Sequence, residues 1–300
     1  MRRRPGPRVH RDRARYTPLV GRLSAAIALA VLALLAGPPA AAQQSYTPFL
    51  DETFSASGQQ LDLYVPAAPR SRTALVFIHG GGFVDVDNQK ETFGPLAQFY
   101  AQGGFVSATI NYRLAPGHVF PAALEDVQTA VRWIQRQGRR HGYAPPRRIV
   151  LIGGSAGGNL ALMAGLADRS GVSGIVSIAG PSDLRALRDG TPFPQLVAAL
   201  DSYLGGQDPD LASPLYRVTR RDPPVLLFHG DADTLVPLSQ AEAIATRLRQ
   251  RRVPVTLRVY PGVGHEAPGP FVQQFLEELT QFVATVGRSG NNAATRFGAP

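Results

Sequence analysis

From Thr73 onward, short runs of β-branched and large apolar residues alternate with longer runs whose apolar positions recur at helical spacing. Few architectures accept that alternation. A run of four to eight apolar residues bounded by turn residues suits a strand buried on both faces, and the amphipathic stretch that follows must cover it. Ala74 to Ile78, Phe105 to Tyr112, Arg148 to Ile152, Gly174 to Ala179, Val225 to Phe228 and Val255 to Tyr260 read as such strands. Pro121 suits the first turn of a helix that aligns Leu124, Val127, Val131 and Ile134 and ends near Gly138. Leu160 to Leu166, Ser239 to Gln250 and Phe271 to Val286 read as further helices, with a disordered tail from Gly287. The alternation predicts an α/β fold, a mostly parallel central sheet with helices on both faces. Leu61 to Val65 alternates in strand fashion ahead of it and is expected at an antiparallel edge. Residues 182–222, with several Pro and Gly, read as irregular and as the one plausible cap. No internal repeat or long linker interrupts the chain.

Bulk charge is misleading until it is located. The formal net charge is +9, but residues 1–42 hold eight arginines against Asp12 alone. The remainder carries 23 basic and 21 acidic residues, too balanced for the electrostatic footprint of a nucleic-acid binder. The basic stretch ends at Arg22, an apolar run covers Leu23 to Ala36, Gly37-Pro38-Pro39 breaks it, and Ala40-Ala41-Ala42 supplies small residues. That layout predicts a secretory signal peptide over 1–42, cleaved before Gln43, and a secreted or periplasmic product. Fourteen apolar residues are short for a membrane span, which needs about 20, so no stable span is expected after cleavage. The mature catalytic domain is then 43–287, with 288–300 as its tail. There is no cysteine, which excludes a thiol nucleophile, disulfides and thiolate-bound metals.

The chemistry concentrates in four places. Gly153-Gly154-Ser155-Ala156-Gly157 stands between a predicted strand and a predicted helix. A nucleophilic serine needs that setting: a strained strand-to-helix turn that projects its hydroxyl above the sheet, with flanking glycines so that neighbouring backbone packs close. An ordinary Gly/Ser turn is the bland alternative. A phosphate loop is excluded because no Gly-Lys-Ser/Thr follows. The second place is His79-Gly80-Gly81-Gly82-Phe83, directly after a buried strand. Its Gly81 and Gly82 amides, with that of Ala156, are candidate oxyanion donors. His79 precedes the serine and is expected to fix the loop rather than to act as a base. His265, after the last strand, is the candidate base, since this arrangement orders nucleophile, acid and histidine along the chain. His229 is the weaker candidate. The acid lies in His229-Gly-Asp231-Ala-Asp233, and residue types alone leave Asp231 and Asp233 open; Asp183 is better suited to cap a helix.

Taken together, His79-Gly-Gly-Gly-Phe83, Asn111-Tyr-Arg-Leu-Ala-Pro116, Phe120-Pro-Ala-Ala-Leu-Glu-Asp126, Gly153-Gly-Ser-Ala-Gly-Gly158, His229-Gly-x-x-Asp233-x-x-Val-Pro237 and Gly264-His265 resemble the hormone-sensitive-lipase-like esterases. They are also similar to the BD-FAE-type hydrolases, a group associated with feruloyl, acetyl-xylan and other small esters. The resemblance implies an α/β-hydrolase fold and places the acid at Asp233. Two departures favour the BD-FAE side. Gly154 stands where the lipase-like group usually has Asp, and about 30 residues before the first core strand leave no room for a large N-terminal cap. The implied reaction is hydrolysis of a small-molecule carboxylic ester, short-chain or aryl/acetyl, through an acyl-enzyme on Ser155, with no metal or other cofactor. Amide, formamide or peptide hydrolysis on the same site, and a catalytically silent binding domain, are the rival readings.

Overall fold

The structure is a computed structural model and describes residues 45–87, 89–167, 171–265 and 268–288. The expected leader over 1–42, its cleavage point and residues 289–300 of the expected tail lie outside the described residues.

In chain order the elements are β1 (Tyr46–Thr53), β2 (Gln60–Pro66), β3 (Thr73–Ile78), α1 (Gly94–Gln102), β4 (Val106–Ile110), α2 (Ala122–Arg136), β5 (Arg148–Gly154), α3 (Ala156–Ala167) and β6 (Val172–Ile178). There follow α4 (Leu184–Gly190), α5 (Pro194–Leu204), β7 (Val225–Gly230), α6 (Ser239–Gln250), β8 (Val255–Tyr260) and α7 (Val272–Arg288). The eight strands form one sheet in the order β1-β2-β4-β3-β5-β6-β7-β8. From β4 to β8 neighbouring strands are parallel, and β2 and β1 add an antiparallel edge.

The double burial expected of the central strands is visible residue by residue. Ala74, Val76 and Ile78 of β3 face one apolar core, while Leu75 and Phe77 face the other. Ile149 and Leu151 of β5 split from Val150 and Ile152 in the same way. The first core takes the apolar stripes of α2, α3 and α6, including Val127, Leu162 and Ile244; the second takes those of α1 and α7, including Leu96 and Leu279. Leu61 to Val65 lies one strand in from the edge, because residues 46–53 pair outside it as β1.

Two expectations need correction. Residues 182–222 are not irregular: they contain α4, α5 and two 3-10 turns. Their Pro and Gly mark helix ends. Asp183 caps α4 by accepting from the Ala186 amide at 3.0 Å. Pro194 sits in the first turn of α5, where a missing N–H costs nothing, and Gly205 ends it. The last helix takes in Gly287 and Arg288, two residues assigned to the tail. Helix α1, opened by Gly94-Pro95, was not anticipated from the pattern.

Candidate active site

Parallel strands deliver their C-terminal ends to one edge of the sheet, where open α/β folds gather functional groups. Ser155 lies there, between β5 and α3, with φ of +52°, a left-handed backbone that costs about 1–3 kcal/mol in a residue other than glycine. The turn is held by its surroundings. The Ser155 amide donates to Ile178 O at 2.8 Å, and Ser155 O accepts from the Asn159 amide at 3.1 Å. A Cβ on Gly153 would collide with Gly157 O, and one on Gly157 would collide with Ile78 O, so β5, α3 and β3 meet closer than any side chain permits.

The loop after β8 brings His265 over the serine. Its Nε2 lies 3.0 Å from Ser155 Oγ and its Nδ1 2.7 Å from Asp233 Oδ2. With the carboxylate accepting from Nδ1–H, Nε2 is left to accept the hydroxyl proton. The two acids that the sequence leaves open are separated by geometry. Asp233 faces His265, whereas Asp231 Oδ1 accepts from the Gly262 amide at 2.7 Å and ties the loop after β7 to the turn after β8. The other Asp233 oxygen accepts from the Leu235 and Val236 amides at 3.0 and 2.9 Å. Burial alone would raise the Asp233 pKa; hydrogen bonds from His229 and His265 outweigh it and hold the carboxyl down at about 2. His229, the weaker base candidate, is buried behind this acid, and its Nε2 donates to Val236 O at 2.7 Å, while the imidazole that meets Ser155 Oγ is that of His265.

The Gly80–Phe83 loop lies directly across from the serine: a Cβ on Gly80 would stand 3.3 Å from Ser155 Cβ. Among the described residues, the amides of Gly81, Gly82 and Ala156 have no backbone or side-chain acceptor. Ala156 is also the first residue of α3, whose N-terminal dipole favours negative charge beside Ser155. His79 is buried and stacked on Tyr112, ring centroids 4.3 Å apart, and its Nδ1 donates to Gly80 O at 2.8 Å. Burial pushes its pKa down to about 4, which keeps it neutral. The Tyr112 hydroxyl bonds His79 O and Gly80 O at 3.1 and 2.9 Å. Tyr112 therefore braces the glycine loop, a role that the residue reading of Asn111-Tyr-Arg did not assign. Phe93 was also missed. Its ring approaches to 3.4 Å from where a Cβ on Gly154 would stand, so it packs under the serine turn. On the other side of the glycine loop, Tyr203 of α5 stacks on Phe83 with centroids 3.8 Å apart. Among the described residues no group of three or more His, Cys, Asp or Glu is placed to hold a metal ion.

Comparison with known proteins adds relatives to this geometry. Esterase LipC of Mycobacterium tuberculosis is 32% identical over 211 residues, 64% of this chain and 52% of its own length. An acetyl-hydrolase of Streptomyces hygroscopicus is 29% identical over 235 residues, 67% of this chain and 69% of its own length. The chain spans about half the length of the mycobacterial relatives LipC and LipM. Among solved structures, a truncated carbohydrate esterase from gut microbiota superposes with a TM-score of 0.71 at 24% identity, covering 84% of this chain and 99% of that one. A hyperthermophilic esterase from Pyrobaculum calidifontis gives 0.69 at 24% identity, covering 90% and 92%. Those likenesses establish the α/β-hydrolase fold. The BD-FAE family model matches residues 61–248, from β2 through all but the last turn of α6, and the chain belongs to that family.

Proposed function

We propose that this chain is an exported serine hydrolase that cleaves carboxylic esters, short-chain or aryl/acetyl, with Ser155 as nucleophile, His265 as base and Asp233 as the acid that orients it. The observation that carries the reading is the hydrogen-bonded line from Ser155 Oγ through both nitrogens of His265 to Asp233, at 3.0 and 2.7 Å. In the first half-reaction His265 Nε2 takes the hydroxyl proton as Oγ attacks the ester carbonyl. The amides of Gly81, Gly82 and Ala156 receive the negative charge that develops on the carbonyl oxygen, and Asp233 stabilises the imidazolium. Collapse of the intermediate breaks the ester C–O bond, and His265 gives its proton to the leaving alcohol. Water then repeats the sequence against the acyl-serine and releases the acid. Small-molecule esters are the substrates on this reading; the names of the relatives support that class, and no cofactor takes part.

A fluorophosphonate probe on the intact protein, followed by peptide mapping, tests the assignment. Ser155 should carry the label, and Ser155→Ala should abolish it. An unlabelled protein would favour a silent binding domain, and faster turnover of amides than of matched esters would move the substrate class. Export is tested separately by N-terminal sequencing of the secreted or periplasmic product, which should begin at or near Gln43.

A further inference from the structure

The acids and the unpaired cations described outside the leader fall at different ends of the strands; the cations at the Ser155 edge, Lys90 and Arg113, are paired with Asp62 and Asp126. The loops that leave the parallel strands at the Ser155 edge hold Asp85, Asp87, Asp183, Asp231 and Asp233. The segments that enter the strands at the opposite rim hold arginines instead: Arg72 before β3, Arg139, Arg140 and Arg147 before β5, Arg220 before β7 and Arg252 before β8. All six are exposed, and among the described residues none forms an ion pair. No Asp or Glu occurs from Leu63 to Val84 or from Val127 to Ala167. The segments adjoin: Arg72 bonds Pro145 O through its guanidinium, the Arg147 amide donates to Arg72 O at 2.8 Å, and the Tyr143 amide donates to Gly138 O at 2.8 Å. Among the described residues, the acids nearest this rim are occupied. Glu52 lies 3.4 Å from the imidazole of His141, and Asp222 accepts from the Thr219 amide and hydroxyl.

Helix dipoles do not account for this bias. A cation at the C-terminal end of a helix offsets the macrodipole, which explains Arg136 on α2 and Arg249 on α6. Arg72, Arg147 and Arg220 precede strands and have no such duty. From β3 to β8 the rim crosses four strand spacings, about 20 Å, an extended front rather than a socket for one small anion.

We propose that this arginine rim is a docking surface for an anionic lipid bilayer, which turns the Ser155 edge of the sheet away from the membrane. The path of the chain selects a bilayer over a soluble polyanion. The Ala67 amide donates to Ser45 O at 2.8 Å and Tyr46 pairs with Pro66, so the described chain begins at this same rim. Eight residues, 37–44, join it to the apolar run Leu23 to Ala36. Even fully extended they reach only about 28 Å. When that run engages a membrane during export, and until it is cleaved before Gln43, the rim is tethered within reach of the headgroups. Guanidinium groups suit phosphate oxygens there, each contributing about a fivefold gain in partition next to an anionic surface. The proposal is independent of the ester chemistry.

Vesicle sedimentation tests it, with full-length protein and an Arg139→Gln/Arg140→Gln/Arg147→Gln/Arg220→Gln variant that keeps the same residues 1–44. Wild type should pellet with phosphatidylcholine vesicles containing 30% phosphatidylglycerol, and the variant should partition at least tenfold more weakly. Wild-type binding should also weaken as salt rises. Both proteins should be labelled equally by the fluorophosphonate and have the same circular dichroism, so a failed serine assignment would leave this readout untouched. Partition of the variant within twofold of wild type, equal binding to pure phosphatidylcholine, or tighter binding to polygalacturonate than to the anionic vesicles at matched charge would overturn the proposal.

Discussion

A left-handed serine persists only where its neighbours over-determine it, and at Ser155 the bonds to Ile178 and Asn159 and the close approach of Gly157 to β3 do so. On the proposed mechanism Ser155→Ala should lower kcat by about 10⁴–10⁶, His265→Ala by about as much, and Asp233→Asn by about 10⁴, with folding unchanged. Asp231→Asn should stay within a few-fold of wild type, because an amide oxygen can still accept from Gly262 N–H. Steady-state kinetics on a soluble ester decide it, and a Asp231 variant worse than the Asp233 variant would reverse the assignment. His79 supplies a second prediction. Its pKa is about 4 in the fold against 6.5 when exposed, so between those values the unfolded chain binds more protons and stability falls as pH falls. The span amounts to about 3 kcal/mol. Urea titrations at pH 7, 5.5 and 4.5 should show a steeper decline for wild type than for His79→Asn; parallel declines would remove His79 from the acid sensitivity. The serine, the glycine loop and His265 were legible because strained turns and exposed amides demand particular residue types. The choice between Asp231 and Asp233 was not, because both can end a strand and bond a turn, and only the resemblance decided it.

Helix α5 shows how an element is misread. Its Pro and Gly are placed at its two ends, and a composition count over 182–222 cannot tell boundaries from breakers. The strands β3 and β5 were easier, since burial on both faces leaves no polar position to interrupt the run. Helix α5 is fixed to the glycine loop: Tyr203 stacks on Phe83, and its carbonyl accepts from the Phe120 amide at 2.7 Å. The Tyr203 hydroxyl, by contrast, is buried without a partner among the described residues. Burying an unpaired hydroxyl is unfavourable, so Tyr203→Phe should be neutral or stabilise the fold by about 1 kcal/mol while keeping the stack. A loss of more than about 1 kcal/mol in urea unfolding would mean that the hydroxyl is bonded in solution.

Over the whole molecule, pattern predicted a parallel sheet with two covered faces but not its order. Placing β4 between β2 and β3 depends on which edges pair, and the apolar runs are too alike to encode that singly. The same architecture bears on substrate size. A lipase-type lid must swing open at a lipid surface, so it needs a long amphipathic helix on free hinges. The helices available to cover this site are 7 and 11 residues long, and the longer is tied to Phe83 and Phe120. Its Ala199 stands 3.8 Å from where a Cβ on Gly82 would lie, which makes α5 a fixed wall beside the candidate oxyanion amides. On the proposed mechanism that wall limits the depth open to an acyl chain. Each methylene that is buried gains only about 0.8 kcal/mol, and one that cannot enter gains nothing and collides. Across 4-nitrophenyl esters from acetate to palmitate, kcat/KM should therefore peak between acetyl and butyryl, with aromatic acyl esters second. Emulsification should leave the rate unchanged. A maximum at long chains, or a jump in rate when an interface forms, would require α5 to move, and with it the stack on Phe83.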